Sequence, residues 1–527
     1  MLCDACKKRE AVVHIVKIEN GRRTDLHLCA ACAKKQTNFS NFRDLNIIDN
    51  DFFRKMAYPD YQGRSGDEPR CASCGMTYSE FNRLGKFGCP DCYEAFKEEI
   101  PPLLRRIHGH SKHVGKVPNR GTGVFRTATH VKRLRQHLQK LVQEERYEEA
   151  AKVRDEIRAL QRQLPDGGKG ECAMAHDMLQ QPLCPWQDGT GNFNDIVIDS
   201  RVRLDRNLKK YVFPDKASDT ELAAVLEEGK RQIGPLDTLG HGRYTFIGLE
   251  ELSPMEREMM AVKHFSSASH IEHPKHRGVL LRDDGAVSIM LNEEDHLVIQ
   301  TAAPGFDLQR VWDQAAQVDD ALESHLDFAF RDDFGYLTAS PSLTGTGLTA
   351  GVTIHVPALV MMKRFNRIVQ GITKFGFTVS GMYGERNECI GNIFQITNQI
   401  TLGVTETDIL DQLSKIVTQI VQEEQNCRSL VWDHNENTLK DKWLRTYGTL
   451  SQAWLLSDQE SLALASDLRF GIDMGVIPEQ PLAYEAIMTV VEPAYLQLKA
   501  GTELNDEELQ HQRAQAVQSV LAAYRRK

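Results

Sequence analysis

The sequence lacks three features that would assign it to a common class of protein. No apolar run among its 527 residues approaches the length that a membrane-spanning helix needs. Its 73 acidic residues outweigh 64 basic ones, giving a formal net charge of −9, and no basic stripe is present, which disfavours a nucleic-acid binder. No signal peptide is recognisable. We therefore expect a soluble, cytoplasmic protein, and at this length one with several domains.

Eight of the twelve cysteines fall into two quartets of paired Cys-x-x-Cys motifs. The first quartet is Cys3, Cys6, Cys29 and Cys32, and the second is Cys71, Cys74, Cys89 and Cys92. Each quartet supplies the four thiolates of a closed tetrahedral zinc site. Disulfides or a redox Cys-x-x-Cys are the alternatives, but in a cytosolic chain thiolates favour metal. The sequence predicts two structural zinc ions, and ordinary thiols at Cys172, Cys184, Cys389 and Cys427.

Each quartet is expected to hold a small module. In the first, residues 1–35, an alternating strand at 11–17 and a returning strand at 24–28 flank the turn Glu19-Asn20-Gly21. Residues 36–68 have no clean period and are expected to be a connector, and residues 69–98 form the second module. So little core is available here that bound metal would supply much of the folding energy.

A helical pattern begins after the second module. Two apolar stripes at residues 131–160, separated by the charged residues 144–149, predict an antiparallel helical hairpin with bounds near 128–163. The order Glu-Arg-Tyr-Glu-Glu-Ala-Ala at 145–151 resembles the UvrB/UvrC-type hairpin motif, which usually docks onto partner proteins; a generic coiled-coil stub is the alternative. Residues 164–194 show no periodicity and are expected to be a linker.

The rest of the chain divides into a mixed segment, 195–428, and a helical one, 429–527. Hairpin signals such as Asp283-Asp284-Gly285 dominate over parallel crossovers, so we expect a largely antiparallel sheet with helices packed on it, within a multidomain α+β protein. The predicted strands are 195–198, 278–282, 286–291, 297–301, 377–383 and 392–400. The predicted helices are 308–330, 357–375, one capped by Thr405 with Asp408, and the apolar repeats 450–468, 482–496 and 509–524.

Four short motifs in the mixed segment could carry chemistry. They are Asp-Ile-Val-Ile-Asp-Ser-Arg-Val-Arg-Leu at 195–204, Asn-Glu-Glu-Asp-His at 292–296, Gly-Thr-Gly-Leu at 345–348 and Tyr-Gly-Glu at 383–385. Each alone is typical of a solvated turn, a loop or surface charge. The Gly-Thr-Gly is neither a Walker A loop nor a Rossmann turn, because the residues that those motifs require do not follow it.

Together, in this order and spacing, the motifs resemble the phosphagen (guanidino) kinase family, and most closely its bacterial protein-arginine-kinase (McsB-type) branch. The resemblance runs from about residue 195 to the C-terminus and includes residues 331–336 and 391–403. The first 165 residues resemble the zinc-binding activator (McsA-type) of that kinase, with its paired quartets and hairpin. The chain would then join both partners, which makes their contact intramolecular.

The resemblance implies a role for several residues. A protonated guanidinium is a poor nucleophile, so two carboxylates must orient it and accept its proton, and the resemblance gives these roles to Glu294 and Glu385. The family holds ATP, bound with Mg²⁺, mainly through arginines, because a guanidinium fork matches phosphate oxygens. The segment Ser200, Arg201, Val202 and Arg203 matches that pattern, and His264 matches a family nucleotide contact.

The sequence departs from the family at positions that should carry positive charge. Val298, Thr349 and Ser380 stand where the family has arginine, and Ser340 replaces a cysteine near the active site. Arg386, beside Glu385, could compensate in part. Two hypotheses follow: an ATP-dependent protein-arginine kinase that marks proteins for a Clp-type AAA+ protease, or a pseudokinase that keeps the fold as a scaffold.

The helical segment also departs from the family. The family's phosphoarginine-binding motif, Arg-Asp-x-x-Arg-Ala, aligns with residues 509–514, where Arg513 and Ala514 alone are retained. An ordinary dimerising helical domain is favoured over recognition of phosphoarginine, so we expect a homo-oligomer. The implied partners are protein substrates, through their arginine side chains, and a Clp-type unfoldase, with the two halves of the chain in contact with each other.

Overall fold

The computed structural model describes residues 13–19, 22–28, 68–118, 171–382 and 390–525, and gives the backbone alone for the first two segments and for residues 171–175. Within these ranges the chain has the mixed α+β architecture expected from the sequence. No helix among them is long and apolar enough to cross a membrane. The first cysteine quartet, the hairpin predicted at 131–160, and residues 383–389 with Glu385 and Arg386 lie outside the described residues.

The described strands form one large sheet and two small hairpins. They are β1 (Val13–Glu19), β2 (Arg22–Leu28), β3 (Val197–Arg206), β4 (Tyr244–Gly248), β5 (Gly278–Arg282), β6 (Val287–Leu291), β7 (Leu297–Pro304), β8 (Phe330–Arg331), β9 (Gly335–Tyr336), β10 (Leu348–His355), β11 (Phe377–Gly381) and β12 (Ile393–Asn398). The large sheet has the order β11-β12-β10-β3-β7-β6-β5-β4, and every neighbouring pair is antiparallel. The antiparallel sheet is therefore confirmed.

The described helices surround this sheet and continue beyond it. They are α1 (Tyr78–Leu84), α2 (Cys92–Ala95), α3 (Ile100–His108), α4 (Glu171–Gln180), α5 (Asp219–Lys230), α6 (Ile233–Asp237), α7 (Pro254–Val262), α8 (Ala268–Glu272), α9 (Leu308–Glu323), α10 (Pro357–Met361), α11 (Phe365–Thr373), α12 (Glu406–Gln452), α13 (Asp458–Asp473), α14 (Leu482–Val490), α15 (Pro493–Ala500) and α16 (Asp506–Ala523). The reciprocal cap of Thr405 and Asp408 starts α12 where the sequence predicts it.

Two buried clusters hold the described residues together. The larger joins the sheet, α9 and the C-terminal helices α12 to α16. The smaller combines apolar side chains of residues 71–104 with side chains that come from the sheet region, namely Phe213, Ala329, Phe334, Leu337, Ala339 and Leu402. Residues 68–118, called here the cysteine module, are thus packed against the sheet region through a shared core.

The structure differs from the sequence-based expectation in several elements. The stretch expected to be a linker contains α4, and Met178 and Leu179 after its midpoint are buried in the larger cluster. The strand predicted at 195–198 is β3, which is ten residues long, and β4 and β10 were not predicted. The helix predicted at 357–375 is divided into α10 and α11, since Lys363 adopts a left-handed conformation with φ of 57°.

Candidate functional site

Alternating residues of β3 place four charged side chains on one face of the sheet, while the intervening residues point into the core. Arg201 forms a bidentate ion pair with Asp199, through Nε to Oδ1 at 3.0 Å and Nη2 to Oδ2 at 3.0 Å. Arg203 donates to Asp205 at 2.6 Å and to Glu293 at 3.0 Å. Burial alone would lower the pKa of Arg203, but the two carboxylates raise it, so this guanidinium stays charged.

The loop between β6 and β7 brings an acidic cluster to the end of that face. Its backbone is closed by Asn292 N–H donating to His296 O at 2.9 Å, with Asn292 at φ 61°. Asp295 accepts from Ala339 N at 2.7 Å and from Asn207 Nδ2, and it is fully buried. Burial, Asp205 and Glu294 hold the pKa of Asp295 well above its usual value. The loop is thus fixed by its neighbours rather than solvated.

The two glutamates of this loop have different environments. Glu293 accepts from Ser267 at 2.6 Å, from Ser269 at 2.9 Å and from Arg203. Burial would raise its pKa, but Arg203 and these hydroxyls lower it to about 2. The carboxylate of Glu294 makes a 3.4 Å contact with Lys86 of the cysteine module, and a quarter of the Glu294 side chain is exposed. Burial holds the pKa of Glu294 above its usual value. Glu294 is therefore the carboxylate of the loop that is open to a ligand.

A cavity of about 200 Å³ adjoins the other end of the charged face. Its wall includes Arg201, His264 and Lys263. Trp186, from the segment that the sequence predicted to be a linker, and Tyr484 of α14 also line it. His264 has φ of 57°, and Arg201, then burial, lowers its pKa to about 3, so the imidazole is neutral. Lys263 forms no ion pair with a carboxylate of the described residues, and its Nζ lies 3.8 Å from Cys184 Sγ. Burial lowers the pKa of Lys263.

The three positions where arginine was expected share this face with Arg201 and Arg203. Thr349 in β10 is the cross-strand partner of Arg203, and Val298 in β7 is that of Asp205. Ser380 in β11 pairs with Gln395, which pairs with Thr353 in β10, itself opposite Asp199. Cross-strand partners point to the same side of a sheet. All three positions therefore lie on the side of the sheet that carries Arg201 and Arg203, called here the cleft side. Val298 is fully buried there, and none of the three supplies a charge.

Other residues singled out from the sequence lie elsewhere. Ser200 is buried on the opposite face, donates to Gly305 O at 2.9 Å and accepts from Asp307 N, and Val202 is in the core. Neither side chain faces the cleft. Ser340 contacts Ser342 at 2.8 Å. Arg513 is buried and donates to two backbone carbonyls, Val491 O at 2.8 Å and Leu456 O at 3.1 Å, so it braces the C-terminal helices.

The second cysteine quartet has the geometry of a metal site. The Sγ atoms of Cys71, Cys74, Cys89 and Cys92 all lie within 4.8 Å of one another. Neighbouring pairs are 3.4, 3.5 and 3.7 Å apart. A tetrahedral zinc site with Zn–S bonds of about 2.3 Å separates its sulfur atoms by roughly 3.8 Å. The quartet therefore fits zinc, as the sequence predicts for these four residues.

The cysteine module docks beside the acidic loop, residues 292–296 between β6 and β7. Phe87 N donates to Ala339 O at 2.8 Å, and Phe213 N donates to Gly88 O at 2.8 Å. Tyr93 is fully buried, and its hydroxyl donates to Thr338 O at 2.8 Å. Phe87 and Tyr93, on either side of Cys89, thus bind the same 338–339 segment whose Ala339 N–H donates to Asp295.

A second set of contacts fixes the far end of the module. Lys116 N–H is shared between the carboxylate oxygens of Glu406 at 3.0 and 3.1 Å, at the first turn of α12. Lys116 Nζ donates to Asp319 at 2.7 Å. Asp319 also binds Arg206 of β3, at 2.9 and 3.1 Å. The module is thus linked through ion pairs to the strand that carries Arg201 and Arg203.

Some residues of the site could not be found from the sequence. Asp205 and Glu293 neutralise Arg203, but only the strand register shows it. Lys86 of the cysteine module lies 3.4 Å from Glu294, a contact between residues with no shared motif. Lys263 could be suspected from the sequence only because it precedes His264, to which the family resemblance gives a nucleotide contact.

Comparison with known proteins assigns four segments of the chain to described families. Residues 69–115 match the McsA central zinc-finger domain, and 130–163 match the UvrB/uvrC motif. Residues 230–427 match the ATP:guanido phosphotransferase C-terminal catalytic domain, and 436–527 match the protein-arginine kinase McsB C-terminal domain. The order of these segments agrees with the resemblance found in the sequence.

Individual relatives match about two thirds of the chain. A protein-arginine kinase of Halothermothrix orenii is 38% identical over 346 residues, covering 66% of this chain and 98% of that protein. A protein-arginine kinase of Moorella thermoacetica is 42% identical over 340 residues, covering 64% and 97%. Among solved structures, a lombricine kinase matches at 18% identity with a TM-score of 0.47, covering 68% of this chain and 87% of that one.

Proposed function

We propose, for a chain that belongs to the protein-arginine kinase family and carries an McsA-type region ahead of its kinase, that it transfers the γ-phosphoryl group of ATP to arginine side chains of proteins. The observation that carries the proposal is Glu294, an accessible carboxylate at the end of the sheet face on which Arg201 and Arg203 lie. A protein acceptor would bring its guanidinium to this carboxylate from the solvent side.

The proposed reaction makes a bond between a guanidinium nitrogen and the γ-phosphorus and breaks the bond from that phosphorus to the ADP oxygen. The guanidinium loses one proton, and we assign Glu294 as the group that orients it and accepts the proton. Glu385 is proposed as the second carboxylate. Two carboxylates that bind one guanidinium fix its orientation, so that its nitrogen attacks the γ-phosphorus from one direction.

The nucleotide would lie along the charged face, with Mg²⁺ on its phosphates. We assign Arg201, Arg203 and His264 to it, and Lys263 lies close enough to the cavity to add a fourth nitrogen donor. Positively charged donors around a cavity fit a triphosphate, but Arg201 and Arg203 are both already paired with carboxylates. The residues present can bind the triphosphate, but their net positive charge is lower than it would be with arginine at the three substituted positions.

That deficit favours a second candidate, a pseudokinase that acts as a zinc-containing scaffold. The observation behind it is the register that sets Val298, Thr349 and Ser380 on the cleft side. At about 1.5–3 kcal/mol for each charged hydrogen bond, three missing contacts could lower phosphoryl transfer by several orders of magnitude. The two candidates differ in rate and not in fold.

The wider assignments rest on the family. We propose that each cysteine quartet holds one structural zinc, that the hairpin at 131–160 contacts the kinase half or a Clp-type unfoldase, and that the protein acts in cytoplasmic protein quality control. A homo-oligomer built through the C-terminal helices is part of the same proposal. The docked cysteine module supports an intramolecular contact between the two halves.

Intact-protein mass after incubation with Mg-ATP and an arginine-rich acceptor protein tests the activity. The expected product is an acid-labile gain of one phosphoryl mass per modified arginine. Glu294→Gln should abolish it, whereas Glu227→Gln, at an exposed position of α5, should not. No mass gain in the wild-type protein at any enzyme concentration, with nucleotide binding retained, would favour the pseudokinase.

A further inference from the structure

One cation of the cysteine module reaches the open carboxylate of the acidic loop. Lys86 Nζ lies 3.4 Å from Glu294 Oε1 and 2.8 Å from Asp215 Oδ2. About a third of the Lys86 side chain is exposed, and a quarter of the Glu294 side chain. This is the ion pair that Glu294 forms among the described residues, and it comes from the McsA-type region and not from the kinase.

The segment that carries Lys86 is fixed on both sides. Gly85, with φ of 75°, ends α1 and turns the chain toward the acidic loop. Phe87 N and Gly88 O then bond to the kinase backbone at Ala339 and Phe213, each at 2.8 Å. Because Cys89 follows directly, the quartet and the kinase backbone together set where the ammonium lies.

Charges from every neighbouring element act on Glu294. Burial, Glu293 and Asp205 favour its protonated form, while Lys86 and Arg203 favour its ionised form. Asp295, next in the loop, adds a further acidic group. Arg203 is already shared between Asp205 and Glu293. Arg203 therefore acts on Glu294 while it is bonded to Glu293 of the same loop. Lys86 acts on Glu294 and forms its other ion pair outside the loop, with Asp215.

We propose that Lys86 is a positioning residue of the arginine-acceptor site, which keeps the Glu294 carboxylate ionised and oriented so that an acceptor guanidinium can bind to it. The inference rests on the proposed function of Glu294. It makes the zinc-finger region a part of the acceptor site rather than a remote attachment.

The distances favour this role over that of a placeholder for the acceptor. The shorter contact of Lys86, 2.8 Å, is made to Asp215, and its contact with Glu294, at 3.4 Å, is the longer and weaker of the two. A group that filled the acceptor position would instead donate its shortest hydrogen bond to Glu294. Asp215 thus holds the ammonium where its field acts on Glu294 and its bulk does not close the site.

The test measures how acceptor affinity depends on pH in the full-length, zinc-loaded protein. An arginine-containing peptide is titrated calorimetrically from pH 5 to 9 against wild type, Lys86→Met, Lys86→Arg and the control Lys97→Met, an exposed lysine of the same module. Zinc content is measured for each variant, so that only intact modules are compared. Affinity should fall as pH falls and Glu294 is protonated.

In Lys86→Met the midpoint of that loss should move up by about one pH unit, because removing a neighbouring opposite charge raises the pKa of a carboxyl. Lys86→Arg should restore the wild-type midpoint, and Lys97→Met should retain it. Equal midpoints in wild type and Lys86→Met would overturn the inference. Tighter peptide binding by Lys86→Met at every pH, with an unchanged midpoint, would also overturn it, because Lys86 would then be a placeholder for the acceptor. A wild-type protein that binds no peptide would overturn it as well.

The outcome is separable from that of the proposed activity. A midpoint that shifts in a protein that transfers no phosphoryl group would support the role of Lys86 and refute the kinase. Phosphorylation with an unshifted midpoint would support the kinase and refute the role of Lys86.

Discussion

Replacing Thr349 by arginine should speed phosphoryl transfer and strengthen nucleotide binding. Thr349 is directly opposite Arg203 in the β3–β10 ladder, so the two side chains start about 4.8 Å apart on the cleft side of the sheet. The position is half-buried, so a longer side chain can extend into the cleft. Val298, in contrast, is fully buried, and an arginine there would first have to be accommodated against Asp205.

The size of the effect follows from two opposing energies. A new charged hydrogen bond to phosphate contributes about 1.5–3 kcal/mol. Two guanidinium groups about 5 Å apart repel by roughly 1 kcal/mol where water screens them and by more where they are buried, but Asp205 and Glu293 already neutralise Arg203, which keeps the repulsion near the lower value. The balance is about 0.5–2 kcal/mol, which corresponds to a gain of roughly 2- to 30-fold.

The assay is the initial rate of phosphate incorporation into an arginine-rich acceptor, with Mg-ATP affinity measured by calorimetry. Thr502→Arg, at an exposed position after α15, is the control for net charge and should change neither quantity. A wild type that already phosphorylates rapidly, with Thr349→Arg equal or slower, would refute the reasoning, because other cations would then hold the phosphates, with Arg386 the first to examine.

Three further predictions concern the modules and their packing. The full-length protein should contain two zinc ions by elemental analysis; Cys89→Ser should leave one and Cys184→Ser two, and a single ion in wild type would contradict the first quartet. Burial raises the pKa of Glu485 to about 7 from 4.5, so the folded state holds its proton more tightly than the unfolded state, and stability is lost as pH rises through that interval. Glu485→Gln should therefore raise the unfolding free energy by up to about 3 kcal/mol at pH 8 and change it little at pH 4, measured in urea; equal gains at both would be inconsistent with this. Tyr93→Phe removes a buried donor to Thr338 O and should cost about 1–2 kcal/mol in the same assay, with no loss of zinc; an unchanged unfolding free energy would mean that this contact does not stabilise docking.

Elements with a local cause could be predicted from the sequence. The turn Asp283-Asp284-Gly285 fixes the β5–β6 hairpin because Gly285 adopts φ of 74° at no steric cost. The cap at Thr405 fixes the start of α12 in the same way. The strand β10 contains four β-branched residues, but Ala350 and Gly351 interrupt them, so no clear strand pattern is visible. It is a strand because β3 and β12 pair with it on both sides, which no local pattern indicates.

The candidate site divides along the same line. The alternation Arg201, Val202, Arg203 places both arginines on one face once a strand is assumed, so that part could be read from the sequence. The pairing of those arginines with Asp205 and Glu293 depends on register, and the Lys86–Glu294 contact depends on docking between segments about two hundred residues apart. The absence of arginine at three positions could be read from the sequence. The location of all three on one side of the sheet could not.

The shared core of the cysteine module also sets an order of events during synthesis. Phe87, Tyr93 and Phe96 leave the ribosome first, but the side chains that cover them end with Leu402, about three hundred residues later. At roughly 5–20 residues per second, the apolar face of the module stays uncovered for about 15–60 s. Metal capture can occur early in that interval, whereas docking must wait for the kinase. During that interval the aromatic side chains of the module lack the kinase side chains that pack on them in the folded protein.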